Sequence, residues 1–100
     1  MLTFLAAGFD WDKGNLAKCR KHGVTPDDIE AVFKGAVRVG PDHKHSSSEV
    51  RYVAVGRGAG VRPMFIVFTL RRRGELMLIR PISARYMHRK EIERYDEQED

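Results

Sequence analysis

The chain has 100 residues, 42% of them hydrophobic, which suffices for one small domain (1–100) with a single modest core and excludes a second. Its one cysteine, Cys19, excludes an internal disulfide; residues 1–7 are apolar but too short to span a bilayer and lack the basic start of a signal peptide, so a reduced, cytoplasmic protein without a membrane partner is expected. The formal net charge of +4 either serves a solvated surface or favours RNA, DNA or an acidic protein as partner, and it does not choose among them.

In chain order, Phe9 and Trp11 alternate with acids as a short edge strand does, and Asp12 can then cap a helix over residues 13–22 that Gly23 stops. Thr25-Pro26-Asp27-Asp28 starts a second helix with a cap hydroxyl, a proline at the first helical position and a carboxylate three residues after the cap. Ile29, Val32 and Phe33 share its apolar face, and Gly35 ends it. A short strand over 36–39 and a polar loop over 40–48 come next. Residues 50–56, 64–70 and 75–82 are rich in valine, isoleucine and phenylalanine and predict three antiparallel strands, the last two joined by a link over 71–74. The glycine-rich stretch 56–60 is a connector, since a strand and not a helix follows it, and Pro63 fits only at or before the first residue of that strand. Ser83 can cap a last helix reaching about residue 97, with Met87, Ile92 and Tyr95 as a narrow apolar stripe. The expected fold is α+β, an antiparallel sheet of three to five strands with two N-terminal helices and one C-terminal helix.

Basic residues crowd the second half, and Arg80 and Arg85 flank the expected helix start at Ser83, where free N–H groups and the helix dipole favour phosphate. Arg80 shares a strand face with apolar residues and needs a partner, either an internal carboxylate or a ligand phosphate. Glu49 and Arg51, two apart, share one face of the sheet as an ion pair, or as a base or orienting carboxylate with a phosphate clamp. Lys21 and His22 either close the first helix against its dipole or serve as phosphate contact and acid–base group. Tyr95 is a core residue or a substrate contact beside Arg89. Asp42, His43 and His45 lack a fourth ligand and sit in a serine-rich loop, so neither a metal nor any other cofactor is expected. Cleaving RNA without a metal needs a base, an acid and cations, and all three residue types are present.

The ordered set Phe9-Asp10-Trp11-Asp12, Asn15, Lys21-His22-Gly23-Val24, Asp42, His45-Ser46, Glu49-x-Arg51, Gly56, Thr69, Ile79-Arg80-x-Ile82-Ser83-Ala84-Arg85, Glu91 and Tyr95 resembles the BrnT toxins. These are small ribonuclease toxins of bacterial type II toxin–antitoxin pairs, similar in fold to the RelE toxins. The sequence departs from the pattern at Leu70, where an acid is expected, and at Pro81, where isoleucine is expected. The resemblance implies an endoribonuclease that blocks translation and growth, with Lys21, His22, Glu49, Arg51, Arg80 and Arg85 as catalytic and Arg89 and Tyr95 as substrate-binding residues. It further implies neutralisation by a cognate BrnA-like antitoxin, in a heterotetramer that binds operator DNA and represses its own promoter. The rival readings are a nucleic-acid-binding module without catalysis, indifferent to His22 and Glu49, and an interaction protein for an acidic partner.

Overall fold

A computed structural model describes residues 6–60 and 62–99, apart from the side chains of His45 and Glu99; the first five residues of the apolar leader thus lie outside the described residues. The chain runs through β1 (Gly8–Phe9), α1 (Lys13–Arg20), α2 (Pro26–Lys34), β2 (Arg38–Pro41), a 3-10 turn at His43–His45, β3 (Tyr52–Arg57), β4 (Pro63–Arg73), β5 (Leu76–Tyr86) and α3 (Arg89–Glu99). Among the described residues the strands form one sheet in the order β1-β5-β4-β3-β2. The class is α+β as expected, with β2 to β5 antiparallel, but β1 joins β5 in parallel and the sheet is mixed. A parallel neighbour requires a long crossover, and both N-terminal helices lie within it.

Local signals set both of those helices. Asp12 caps α1 by accepting from the Asn15 N–H while the Asn15 side chain accepts from the Asp12 N–H, a reciprocal box. The helix ends at Arg20, two residues before the expected end; Lys21 is its cap, and Gly23 (φ +73°) turns the chain in the left-handed region that only glycine enters cheaply. Thr25 caps α2 and Pro26 opens it, and Ile29 and Val32 are buried on its inner face.

The β4–β5 hairpin is longer than the apolar runs suggested. Arg71, Arg72 and Arg73 remain in β4, and the link shrinks to Gly74-Glu75, with Gly74 at φ +62° in the first link position, where a two-residue turn takes glycine. Because β3 pairs with β4 only up to Tyr52↔Phe68, the arginines extend as a two-stranded arm where charged side chains meet water.

At its other end β5 overturns one expectation. Ser83 does not cap a helix; β5 continues through Tyr86, each of residues 83–86 pairs with β4, and α3 starts at Arg89. A helix cap is worth about 1 kcal/mol, which four residues of ladder and the burial of Ala84 against the core outweigh. Within this stretch Phe68 pairs with Pro81 and Val67 with Ser83, so Ile82 is the extra residue of a bulge. Pro81, which has no N–H to give to a ladder, is fully buried beside it, in one of the few positions a sheet tolerates proline.

The two faces of the sheet differ. One carries Met64, Ile66, Phe68, Ala54, Ile79 and Ala84 against Cys19, Val24, Ile29 and Val32 of the helical layer. Edge-on ring contacts of Phe33 with Phe9 (5.8 Å) and Phe68 (5.1 Å) run through this core. The opposite face is crossed at one end by α3. Its Tyr95 is buried beneath the guanidiniums of Arg38 (4.6 Å) and Arg57 (4.9 Å), and Asp96 pairs with Arg57.

Candidate functional site

An open groove of about 250 Å³ lies where α1 meets the open face of the sheet. Helix α1 supplies Gly14, Asn15 and Lys18; the segment before β3 supplies Glu49 and Arg51; the arm and β5 supply Arg71, Arg80 and Ile82. The pleat explains the last group: Arg80 pairs with Thr69, two residues from Arg71 on the same strand, so both guanidiniums project from one face. The polar loop is held shut behind Glu49 by Ser46, whose hydroxyl donates to the Asp42 carbonyl (2.7 Å) and accepts from the Arg51 N–H (2.9 Å).

Four cations and one carboxylate line the groove. Glu49 lies 3.2 Å from Arg71 and 3.8 Å from Arg51, and the Arg51 Nε is buried without an acceptor among the described residues. Arg80, 19% exposed, meets Asp12 at 2.9 Å and Asp10 at 3.7 Å, and Asp10 is shared with Arg73 at 3.3 Å. The internal-carboxylate reading of Arg80 therefore describes the free protein. The Asn15 N–H, and after it Arg80, holds the Asp12 carboxyl below its ordinary range, so the pair remains charged. Lys18 has no carboxylate partner among the described residues. Buried Asn15 ties the groove wall together: its amide donates to the carbonyls of Asp10 (2.9 Å) and Pro81 (2.8 Å), so the bulge, β1 and the helix start form one hydrogen-bonded unit.

Of the eight residues expected at a site, the groove contains Glu49, Arg51 and Arg80. Lys21 and His22 are exposed in the turn after α1, beyond Lys18. Arg89 is 94% exposed on α3, and Tyr95 is enclosed by its two arginines. Arg85 leaves the helix-start setting expected for it. It stands in β5 over the Phe65 ring (4.7 Å) and makes a two-pronged pair with Glu91, both contacts 2.9 Å. Glu91 also accepts from the His88 N–H, and Arg85 first, then this N–H, lower its pKa to about 2. A depressed carboxyl stabilises the fold fully above its ordinary pKa near 4.5, and the contribution fades as pH falls through about 2. Between pH 5 and pH 2 the wild type should therefore lose more melting temperature than Glu91→Gln; parallel curves for the two proteins would remove the pair from the stability of α3.

Lys18, Arg71 and Asn15 were not singled out for the site from the sequence. Arg71 lies in a run that reads as a turn, although a hairpin continued by three residues aims it beside Arg80. Lys18 precedes Lys21 by three positions, the spacing of neighbours on a helix, and that was its available signal. Among the described residues no three His, Cys, Asp or Glu side chains gather as metal ligands, and no helix is long and apolar enough to cross a membrane.

A basic groove with one embedded carboxylate is chemistry suited to a phosphodiester. No curated protein matches the chain. The family model described as ribonuclease toxin, BrnT, of type II toxin–antitoxin system matches residues 11–91, a span that includes every groove residue. Lys18 and Arg71 fall with Glu49, Arg51 and Arg80 inside the matched span, and the chain belongs to the BrnT family of ribonuclease toxins.

Proposed function

We propose that this protein is a metal-independent endoribonuclease that cleaves RNA in the Lys18–Glu49–Arg80 groove, and that the observation carrying the proposal is the single carboxylate set among four cations. In this reading Glu49 takes the proton of a 2′-hydroxyl, the 2′-oxygen attacks phosphorus, and the bond to the 5′-oxygen breaks to leave a 2′,3′-cyclic phosphate. Arg51, Arg71, Arg80 and Lys18 offset the charge that grows on the phosphorane, the work a metal ion performs elsewhere. The unaccepted Nε of Arg51 supports the reading, because a buried donor gains most from an anionic acceptor. The leaving oxygen takes its proton from the α1 side, where Lys21 and His22 follow Lys18, and imidazole is the group that ordinarily titrates near neutrality. Arg85 and Tyr95 act at a distance by holding α3, and Arg89 meets substrate along it.

Loss of cellular RNA would block translation and growth. A BrnA-like antitoxin would mask the groove in the cytoplasm, and the pair, as a heterotetramer on operator DNA, would repress its own promoter; this part rests on family membership alone. The test is incubation of the purified protein with RNA in excess chelator. Fragments with cyclic phosphate ends are expected, at a rate that His22→Gln lowers by about a hundred-fold or more. RNA that is bound but never cut would instead make the protein a nucleic-acid-binding module.

A further inference from the structure

The bulge at Ile82 gives β5 an unusual arrangement. Arg80 and Ser83 are three apart and Arg80 and Arg85 five apart, spacings that in a regular strand point to opposite faces. Here all three face the open side, because Arg80, Ser83 and Arg85 pair with Thr69, Val67 and Phe65, alternate residues of β4. The extra residue re-aims the strand beside the groove.

The row that contains Ser83 continues across the sheet through Val67, Val53 and Gly40, directly paired in that order. It carries no charge, its members are partly exposed, and a Cβ built on Gly40 would meet no atom within 4 Å, so the space above it is open. Charged rows bound it on either side: Arg80 with the groove cations two residues along β4, and Arg85, Arg38 and Glu91 two residues the other way. The Ser83 hydroxyl bonds to no protein group among the described residues and stands roughly 7 Å along the sheet from the Arg80 row. That spacing suits the reach from a phosphate to the base of its own nucleotide.

We infer that the Ser83–Val67–Val53–Gly40 row is a nucleobase subsite, in which the valines support the face of a base beside the scissile phosphate and Ser83 hydrogen-bonds its edge. The assignment rests on the ribonuclease reading above. The neutral, aliphatic floor bounded by charge favours an unstacked base over a second phosphate, and a hydroxyl that both donates and accepts can discriminate one base edge from another.

The experiment measures kcat/KM for four oligoribonucleotides that differ only in the base next to the cleaved bond, using wild type, Ser83→Ala and Val67→Trp, with melting curves for each. The wild type should discriminate among the four. Ser83→Ala, a change too small to disturb the fold, should reduce that discrimination by about ten-fold, the value of one lost hydrogen bond. Val67→Trp should slow cleavage of all four by at least about ten-fold by filling the row. Wild-type cleavage with unchanged rates and ratios in both variants would overturn the subsite while leaving the nuclease intact; a wild type that cuts none of the four would overturn both.

Discussion

Glu49→Gln is expected to lower the rate of RNA cleavage by about a hundred-fold to ten-thousand-fold, the range general base catalysis contributes, with little change in RNA affinity. The amide keeps the size of the carboxylate, and its one carbonyl oxygen can still accept from Arg71, but its NH2 cannot accept from Arg51 and it cannot take the proton of a 2′-hydroxyl. Stability should change by under about 1 kcal/mol, since the ion pairs of Glu49 are partly exposed to water. Removing one negative charge from among four cations should, if anything, tighten binding of a polyanion. Single-turnover rates beside filter-binding affinities separate these effects. A Glu49→Gln protein that cuts RNA at the wild-type rate would take the proton-accepting role from Glu49 and leave it as a spacer between guanidiniums.

Arg80→Ala should slow cleavage by about ten-fold to a hundred-fold, the equivalent of the 1.5 to 3 kcal/mol that one charge-assisted contact to the transition state contributes. The fold should survive. Asp12 keeps its bond to the Asn15 N–H, and Asp10 keeps Arg73, so neither carboxylate is left isolated. The free protein's carboxylates compete with substrate for this guanidinium, which makes the comparison with Asp12→Asn informative: that variant keeps the helix cap but loosens Arg80. Arg80→Ala melting as wild type and cleaving as wild type would remove Arg80 from the chemistry. Unfolding instead would make the Asp10–Arg80–Asp12 cluster a structural element.

What a local stretch of chain reveals depends on the range of the interactions involved. Asp12, Thr25 and Pro26 act within three residues of themselves, so the starts of α1 and α2 were readable from the chain, as were the valine- and phenylalanine-rich cores of β3, β4 and β5. Family membership was readable too, because an ordered set of residues survives whatever their spatial arrangement. Ser83 shows the limit: its capping chemistry was real, but the ladder that overrides it belongs to residues 64–67, a partner strand whose register a linear reading does not contain. The bulge at Ile82 was equally hidden, since the two-residue period predicts the faces of Ser83 and Arg85 wrongly once a single extra residue is inserted.

Residue order is enough for a small basic α+β domain, its helix caps, and the presence of Glu49, Arg51 and Arg80 as chemically capable residues. Which cations share a space is set by long-range packing. Lys18 from α1, Arg51 before β3, Arg71 from the arm and Arg80 from β5 are drawn from positions up to sixty-two residues apart, Lys18 to Arg80, and they meet because α1 is fastened to the Pro81 carbonyl through Asn15. Like charges do not gather unaided. Their approach is sustained by burial on the opposite face of the sheet and by Glu49, Asp10 and Asp12 between them, and such long-range compensation has no signature in any local stretch of chain.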